Sequence, residues 1–355
     1  DETGEVERRA KDTVRQIYIE SAGIPDGDLK QNIMKWAKAS ESQSRIRAMM
    51  DLAKSETGIA IPLERLDADP WLLNVANGTL DLRTGALRPH DADDGITKLA
   101  PVVYDPEARA PTWEAFLDRI LDGVPALTGF LQRAVGYALT GDTREQVLFL
   151  LYGTGANGKT TLLETLSELL GDYAQRTPTQ TLLVRGQSTV PNDLARLRGA
   201  RLVTAVEAEE GERLAESLVK QMTGGDRLAA RFLHQEWFEF VPEFKLFLAT
   251  NHKPVIRGTD RAIWRRIRMV PFRVAIPEQE QDRTMGEKLR AEGPGILAWA
   301  VRGCLAWQRE GLGAPLDVRQ ATAAYRAEMD VLGGFLSDCC VMKDGAQADV
   351  GALYE

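Results

Sequence analysis

Gly153-Thr154-Gly155-Ala156-Asn157-Gly158-Lys159-Thr160-Thr161 satisfies the pattern G-x-x-x-x-G-K-[ST] and lies between two segments of the right kind. Before it, Val147-Leu148-Phe149-Leu150-Leu151-Tyr152 is a short apolar run of the sort a strand buried on both faces needs. After it, Leu162, Leu163, Leu166, Leu169 and Leu170 repeat at helical spacing, and Gly171 stands where a helix stop belongs. Strand, glycine loop and helix in that order make a phosphate cradle. The glycines let successive backbone N–H groups point inward, and the helix N-terminus adds partial positive charge. The candidate nucleotide-binding set is therefore Gly153, Gly155, Ala156, Asn157, Gly158, Lys159, Thr160 and Thr161, with Lys159 reaching the β- and γ-phosphates and Thr160 a ligand of Mg²⁺. A glycine-rich turn that fits by chance is the plain alternative, but few such turns have both flanks.

At 355 residues the chain exceeds the size at which one core stops growing, so two or three domains are expected. Hydrophobic content of 44% and charged content of 27% describe an ordinary globular protein. No apolar stretch approaches the roughly 18 residues of a membrane span, and the N-terminus lacks the pattern of a secretory signal. A cytoplasmic protein with no membrane partner is expected. Cys304, Cys339 and Cys340 cannot make a disulfide framework, and no Cys/His spacing suits zinc. The net charge of -8 argues against a protein coated in positive charge, although the arginines are unevenly spread.

The pattern along the chain predicts a helical and hairpin N-terminal region over 1–110, a helical linker or collar over 111–144, a nucleotide-binding core over 145–277 and a helical C-terminal region over 278–355. Leu80-Asp81-Leu82, Arg83-Thr84-Gly85 and Ala86-Leu87-Arg88 read as a hairpin with a glycine turn. The chain's last residues look like an element cut short.

Within the core, Leu202-Val203-Thr204-Ala205-Val206 reads as a second buried strand, closed by Glu207, with Glu209 and Glu210 beyond. One acid at such a strand end can hold Mg²⁺ and another can activate the attacking water. Glu207 is assigned to the metal and Glu209 to the base, with Glu210 as runner-up; a solvated acidic face is the plain reading of the same run. A third strand, Phe244 to Thr250, ends at Asn251, either a turn residue or an amide that senses the γ-phosphate or the attacking water. Arg257, Arg261, Arg265, Arg266, Arg268 and Arg273 crowd around Trp264 and Ile267. Such a cluster can bind nucleic-acid phosphates or present an arginine to a neighbouring subunit's triphosphate.

In order and spacing, these motifs resemble the superfamily 3 helicases, and within them the helicase part of phage and plasmid primase-helicases related to the poxvirus nucleoside triphosphatase-primase. The resemblance rests on Gly153 to Thr161, Val206-Glu207-Ala208-Glu209-Glu210-Gly211, Lys220-Gln221-Met222-Thr223-Gly224-Gly225-Asp226, Ala249-Thr250-Asn251-His252-Lys253-Pro254, and Arg257-Gly258-Thr259-Asp260 running into Trp264-Arg265-Arg266-Ile267. It covers residues 70–275. It implies an α/β P-loop NTPase core of the AAA+ kind, ATP and Mg²⁺ as cofactors, and a ring, a homohexamer, with ATP between subunits and DNA in the pore. It further implies Lys159 and Thr160 as phosphate and Mg²⁺ ligands, Glu207 and Glu209 as the acidic motif, Asn251 as sensor and Arg266 as arginine finger, with Arg265 as second choice. A hairpin over Leu228 to Phe240, turning near Leu233-His234-Gln235-Glu236, would project into the pore, making Arg231 and His234 DNA contacts. His234 also reads as an ordinary surface histidine. No primase or polymerase module is visible in these residues, so such a partner is expected elsewhere on a longer chain or on another protein. The competing functions are a P-loop enzyme acting on a small molecule, and an ATP-dependent DNA-binding initiator or switch without processive unwinding.

Overall fold

The computed structural model describes residues 4–56, 61–184, 192–233, 235–258, 260–330, 339, 340 and 347. They divide into two compact units, Asp1–Leu66 and Asp67–Glu355. The first is a bundle of α1 (Glu5–Ala22), α2 (Asp28–Ser40) and α3 (Gln43–Ala53). Ala10, Val14 and Ile46 form its small core, with Met49 and Met50 against it.

The second unit opens with an antiparallel sheet of β1 (Leu72–Val75), β2 (Gly78–Asp81) and β3 (Ala86–Arg88). Its second hairpin is the one the sequence predicts, with Leu80 opposite Leu87 and Gly85 at φ 78° in the turn. This sheet, grouped by sequence with the N-terminal helices, packs instead into the main core through Leu73, Val75, Leu80 and Leu82. The expected 111–144 helix is two: α4 (Pro111–Ile120) and α5 (Pro125–Leu139). Asp122 and Gly123 take left-handed backbone and Pro125 starts the next helix, so a single rod is excluded.

The nucleotide-binding core then runs through β4 (Leu148–Tyr152), α6 (Lys159–Leu170), β5 (Ala174–Arg176), α7 (Asn192–Ala195), β6 (Leu202–Val206), α8 (Glu216–Gly224), β7 (Leu228–Ala230), β8 (Phe238–Phe240), β9 (Lys245–Thr250), α9 (Arg261–Trp264) and β10 (Ile267–Pro271). Five of these strands make a parallel sheet in the order β10-β4-β9-β6-β5. An all-parallel sheet must be covered on both faces, and its strands are accordingly near-continuous apolar runs. Along β4 the faces alternate: Phe149 and Leu151 join the core shared with α4, α5 and α6, whereas Leu148 and Leu150 join the core under α8, α9 and Tyr325. Each such buried side chain stabilises the fold by about 2 kcal/mol. The α/β P-loop reading therefore holds.

Three helices follow: α10 (Met285–Ala291), α11 (Gly293–Glu310) and α12 (Leu316–Met329). Among the described residues the helical C-terminal region predicted by sequence is these three helices, with Gly293 and Pro294 starting the second of them. α11 lies against α5 at glycines: a Cβ on Gly136 would collide with Cys304 N, and one on Gly303 with the Gln132 carbonyl. At the foot of the sheet two buried cations donate to backbone carbonyls and lie over tyrosine rings, Arg201 over Tyr173 and Lys245 over Tyr137. Arg201 donates to the Leu139 and Leu72 carbonyls, both at 2.8 Å, and Lys245 to those of Thr140, Asp142 and Glu243. They tie the three-stranded sheet and α5 to the end of the parallel sheet away from the cradle.

Candidate functional site

The cradle forms where β4 ends and α6 begins. Gly155 at φ 112° and Gly158 at φ 76° take backbone that other residues rarely adopt, and Ala156 is held left-handed between them at φ 48°. Gly158 has a second reason to be glycine, since a Cβ would press into the Ile120 and Phe116 side chains of α4. The backbone N–H groups of Thr154 to Gly158 make no hydrogen bond among the described residues, and the first turn of α6 adds its own unbonded donors. The loop is further tied by Ile276 N–H, which donates to the Ala156 carbonyl at 2.7 Å.

Lys159 is 5% exposed, and its ammonium donates to three neutral acceptors: the Gly153 carbonyl at 2.8 Å, Asn157 Oδ1 at 2.7 Å and Asn251 Oδ1 at 3.0 Å. No carboxylate pairs with it. Burial alone pulls its pKa down to about 8. A dehydrated cation beside unbonded N–H groups is a site shaped for a polyanion.

Around it lies a cavity of about 250 Å³, lined by Gly155 to Thr161 and by Val206, Glu207, Ala249, Thr250 and Asn251. The adjacency comes from topology: β9 lies between β4 and β6, so the ends of all three strands meet at one edge. Of the predicted site residues, the structure brings together Gly155, Ala156, Asn157, Gly158, Lys159, Thr160, Thr161, Glu207 and Asn251, while Gly153 holds Lys159 from beneath. Glu209 and Glu210 are exposed and do not line the cavity; the Glu209 N–H donates to Glu212 Oε2 at 2.9 Å. Glu207 sits at φ 67°, a strained position for a residue with a side chain, fixed by its N–H donating to the Ala249 carbonyl at 2.8 Å.

Sequence reasoning passed over two supports. Thr250 Oγ1 donates to the His252 carbonyl at 2.6 Å and accepts from His252 N–H at 3.1 Å, fixing the turn that aims Asn251. Thr179 Oγ1 donates to the Val206 carbonyl at 2.8 Å, bracing the end of the acidic strand. Thr250 at least was legible, as the last residue of the third strand. Asn157 Nδ2 is buried without a partner, an amide donor held within the cradle itself. The donor set fits a triphosphate with Mg²⁺: the hydroxyl of Thr160 and the carboxylate of Glu207 line one cavity and are the hard oxygen groups that would hold such a cation. Among the described residues no cluster of three or more acidic, histidine or cysteine side chains forms a metal site independent of a ligand.

Residues 1–122 match the family described as D5 N terminal like, and residues 151–266 match a family of unknown function, DUF5906. Over 314 residues the chain is 27% identical to protein L207/L206 of Acanthamoeba polyphaga mimivirus, covering 82% of this chain and 33% of that protein. It is 28% identical over 358 residues to protein 022R of frog virus 3 (isolate Goorha), covering 77% and 37%. Both carry provisional helicase names. Protein C962R of African swine fever virus (isolate Tick/Malawi/Lil 20-1/1983), with a provisional primase name, is 28% identical over 214 residues, covering 58% and 22%. The chain is thus similar, over most of its length, to viral proteins that carry provisional helicase and primase names. It spans about a third of the length of the first two relatives. The fold is shared with the C-terminal region of NrS-1 in its apo form: TM-score 0.52 at 14% identity, covering 66% of this chain and 59% of that one.

The arginine segment is braced from α8. Glu216 Oε1 accepts the N–H groups of Arg257 (3.0 Å) and Gly258 (2.9 Å), and Lys220 pairs with Asp260 at 2.6 Å. The two candidate fingers differ sharply. Arg266 is 7% exposed, its Nε donating to Thr223 Oγ1 at 3.0 Å and its Nη1 to the Ala262 carbonyl at 2.7 Å, and burial lowers its pKa. Arg265 is exposed and donates to Gln146 Oε1 at 2.8 Å. Arg231 lies at the start of the β7–β8 turn, far in sequence from the cradle; His234 is outside the described residues. No helix among the described residues is long and apolar enough to cross a membrane.

Proposed function

We propose that this chain is the motor part of an ATP-dependent DNA helicase or translocase of phage or mobile-element replication, working as a homohexameric ring around DNA. The observation that carries the reading is the buried Lys159 ammonium, held by Gly153, Asn157 and Asn251 with no anion of its own, on a cavity shared with Thr160 and Glu207. Lys159, the loop N–H groups and the α6 N-terminus bind the β- and γ-phosphates. Thr160 and Glu207 hold Mg²⁺, which when bound neutralises charge on the phosphate oxygens. Asn251 positions the attacking water, and Glu209 is the acid assigned to activate it, with Glu210 next in line.

A ring would complete the site with an arginine from the neighbour. Arg266 is spoken for within its own protomer, and freeing its guanidinium would break two hydrogen bonds, so we assign the finger to Arg265, with the bound Arg266 holding the segment in shape. The relatives' names support DNA replication as the setting, and the span of about a third of their length is consistent with a primase module on the full-length chain. A cytoplasmic location, in the host cell for a phage-encoded protein, goes with that reading.

The test is ATP hydrolysis with and without single-stranded DNA, together with strand displacement on a forked duplex. DNA-stimulated turnover and unwinding, both lost in Lys159→Ala, support the helicase. Turnover indifferent to DNA would favour a P-loop enzyme of another substrate, and hydrolysis without displacement would favour an initiator or switch.

A further inference from the structure

α12 lies beyond the nucleotide-binding core in sequence, yet it reaches the turn that carries Asn251. That turn, Asn251-His252-Lys253-Pro254, is held at its start by the two hydrogen bonds between Thr250 and His252. Its end is held from α12. The Tyr325 hydroxyl donates to the Pro254 carbonyl, and Glu328, one helical turn further on, pairs with Lys253 at 2.5 Å. The Lys253 ammonium also lies 4.9 Å from the ring centroid of Tyr152, the last residue of β4 before the cradle.

Tyr325 is fully buried, and its ring stands edge-on to Trp264, with centroids 5.2 Å apart and planes at 82°. Phenylalanine would fill that space as well; what only tyrosine supplies is the hydroxyl. The Pro254 carbonyl is on a buried residue and accepts no backbone N–H among the described residues, so Tyr325 satisfies a group that the turn leaves open. The helix does not depend on this bond for its place. The Thr322 hydroxyl accepts the Met269 N–H of β10 at 3.1 Å, Asp317 pairs with Arg273 at 2.7 Å, and Val318 is buried in the core. Between α12 and the cradle lies a cavity of about 370 Å³, whose lining includes Tyr152, Thr154, Lys253, Arg273, Ala321 and Ala324. Packing on that side of the turn is therefore loose, and polar contacts fix its position.

We propose that Tyr325 is a positioning residue for Asn251: through the Pro254 carbonyl it holds the turn so that the amide stays beside Lys159 and within reach of the attacking water. The proposal rests on the ATP-driven motor reading and deepens it, because it puts part of the hydrolytic machinery on a helix outside residues 145–277. Displacing a polar group by about 1 Å is enough to slow a reaction tenfold or more. Affinity for the triphosphate comes from Lys159 and the loop N–H groups, none of which Tyr325 touches. Turnover is what should respond.

The test compares steady-state ATP hydrolysis and equilibrium binding of a fluorescent nucleotide in the full chain, Tyr325→Phe, Asn251→Ala and the double variant, with thermal unfolding as the check that each folds. Tyr325→Phe is expected to lower turnover about tenfold and to leave affinity within about twofold. On the Asn251→Ala background the same change should lower the residual turnover by less than about twofold, because the residue it positions is gone. Glu328→Gln, which loosens Lys253 at the surface and leaves the core intact, should lower turnover about threefold, again with affinity kept. Wild-type turnover in both Tyr325→Phe and Glu328→Gln, or a loss in Tyr325→Phe of the same factor with and without Asn251, overturns the proposal and leaves the motor reading intact. A loss of affinity as large as the loss of turnover would make Tyr325 a support of the whole cavity and also overturn it. A wild type that does not hydrolyse ATP overturns the motor reading and this inference together.

Discussion

Lys159 Nζ lies 3.0 Å from Asn251 Oδ1, joining the first residue of the cradle helix to the residue that ends the neighbouring strand β9. The amide oxygen solvates a buried ammonium that has no counter-ion. A γ-phosphate arriving beside Lys159 would compete for the same ammonium and free the amide to turn toward a water. On the proposed function, Asn251 would therefore report on the phosphate through Lys159. Asn251→Ala is expected to keep nucleotide affinity within a few-fold while lowering turnover by about a hundredfold, a size typical of one lost polar group that acts in the transition state. Lys159→Ala should lose both. Equilibrium binding of a fluorescent nucleotide beside steady-state hydrolysis separates the two effects.

The depressed pKa of Lys159 gives a pH dependence with a definite sign. In the nucleotide-free protein the ammonium is lost as pH rises through about 8, because burial penalises the charged form. Triphosphate binding requires the ammonium, so affinity should be flat below about pH 7.5 and then fall toward tenfold per pH unit, until the raised pKa of the bound state is passed. Lys159→Arg, whose guanidinium does not titrate, should bind with no such fall. A wild-type profile flat to pH 9.5 would show that Lys159 is not the group that matters.

The arginines separate stability from catalysis. Arg266→Ala empties a buried site, leaving the Thr223 hydroxyl with only its bond to the Val219 carbonyl and the half-buried Ala262 carbonyl without the guanidinium, and should cost about 1–3 kcal/mol, seen as a lowered melting temperature in the isolated chain. Arg265→Ala removes an exposed side chain with one hydrogen bond, so melting should change little, while turnover should fall by about a thousandfold if the chain works as the proposed ring. Mixing Arg265→Ala with Lys159→Ala should restore part of the turnover, because some interfaces would then pair an intact cradle with an intact arginine. No restoration at any mixing ratio would place the finger elsewhere.

What was legible in the sequence followed from how local each signal is. The cradle reads directly because a strand, a glycine loop and a helix sit side by side in the chain, and the unbroken apolar run Leu148-Phe149-Leu150-Leu151 announces a strand buried on both sides. Glu207 and Asn251 could be placed because each ends an apolar run that a parallel sheet must bury. The choice between Arg265 and Arg266 was not legible: two adjacent arginines are alike in sequence, and only the packing of Thr223 on α8 decides which is buried. Nor was the place of the β1–β3 sheet, which is set by the carbonyls that Arg201 reaches from far along the chain. The break between α4 and α5 was written in Gly123 and Pro125, and was missed because the apolar spacing runs through it.

Glu207 at φ 67° carries strain that its function would explain. A side chain in left-handed backbone costs about 1 kcal/mol, which glycine avoids. Glu207→Gly is accordingly expected to melt no lower than the wild type, and up to a few degrees higher, while losing Mg²⁺-dependent hydrolysis by at least about a hundredfold. Glu207→Gln should lose hydrolysis to a similar degree without the gain in melting temperature, since it keeps the strain. A Glu207→Gly variant that is markedly destabilised would mean the carboxylate holds the fold and not the metal.

The glycine contact between two helices of the second unit tests the architecture independently of chemistry. α5 and α11 meet at Gly136 and Gly303, where an added methyl would run into the backbone at Cys304 and Gln132. Backbone cannot swing aside as a flexible side chain would, so the helices must separate along an apolar seam that includes Leu131, Val135, Ala300 and Cys304. Gly136→Ala and Gly303→Ala are each expected to cost about 1–3 kcal/mol in denaturant unfolding. The double variant should cost less than the sum, because one separation of the helices relieves both collisions. Nucleotide affinity, measured below the melting transition, should stay near wild type, since neither glycine nor the residues it meets line the cavity; full additivity with no loss of packing elsewhere would mean the helices do not meet at these glycines.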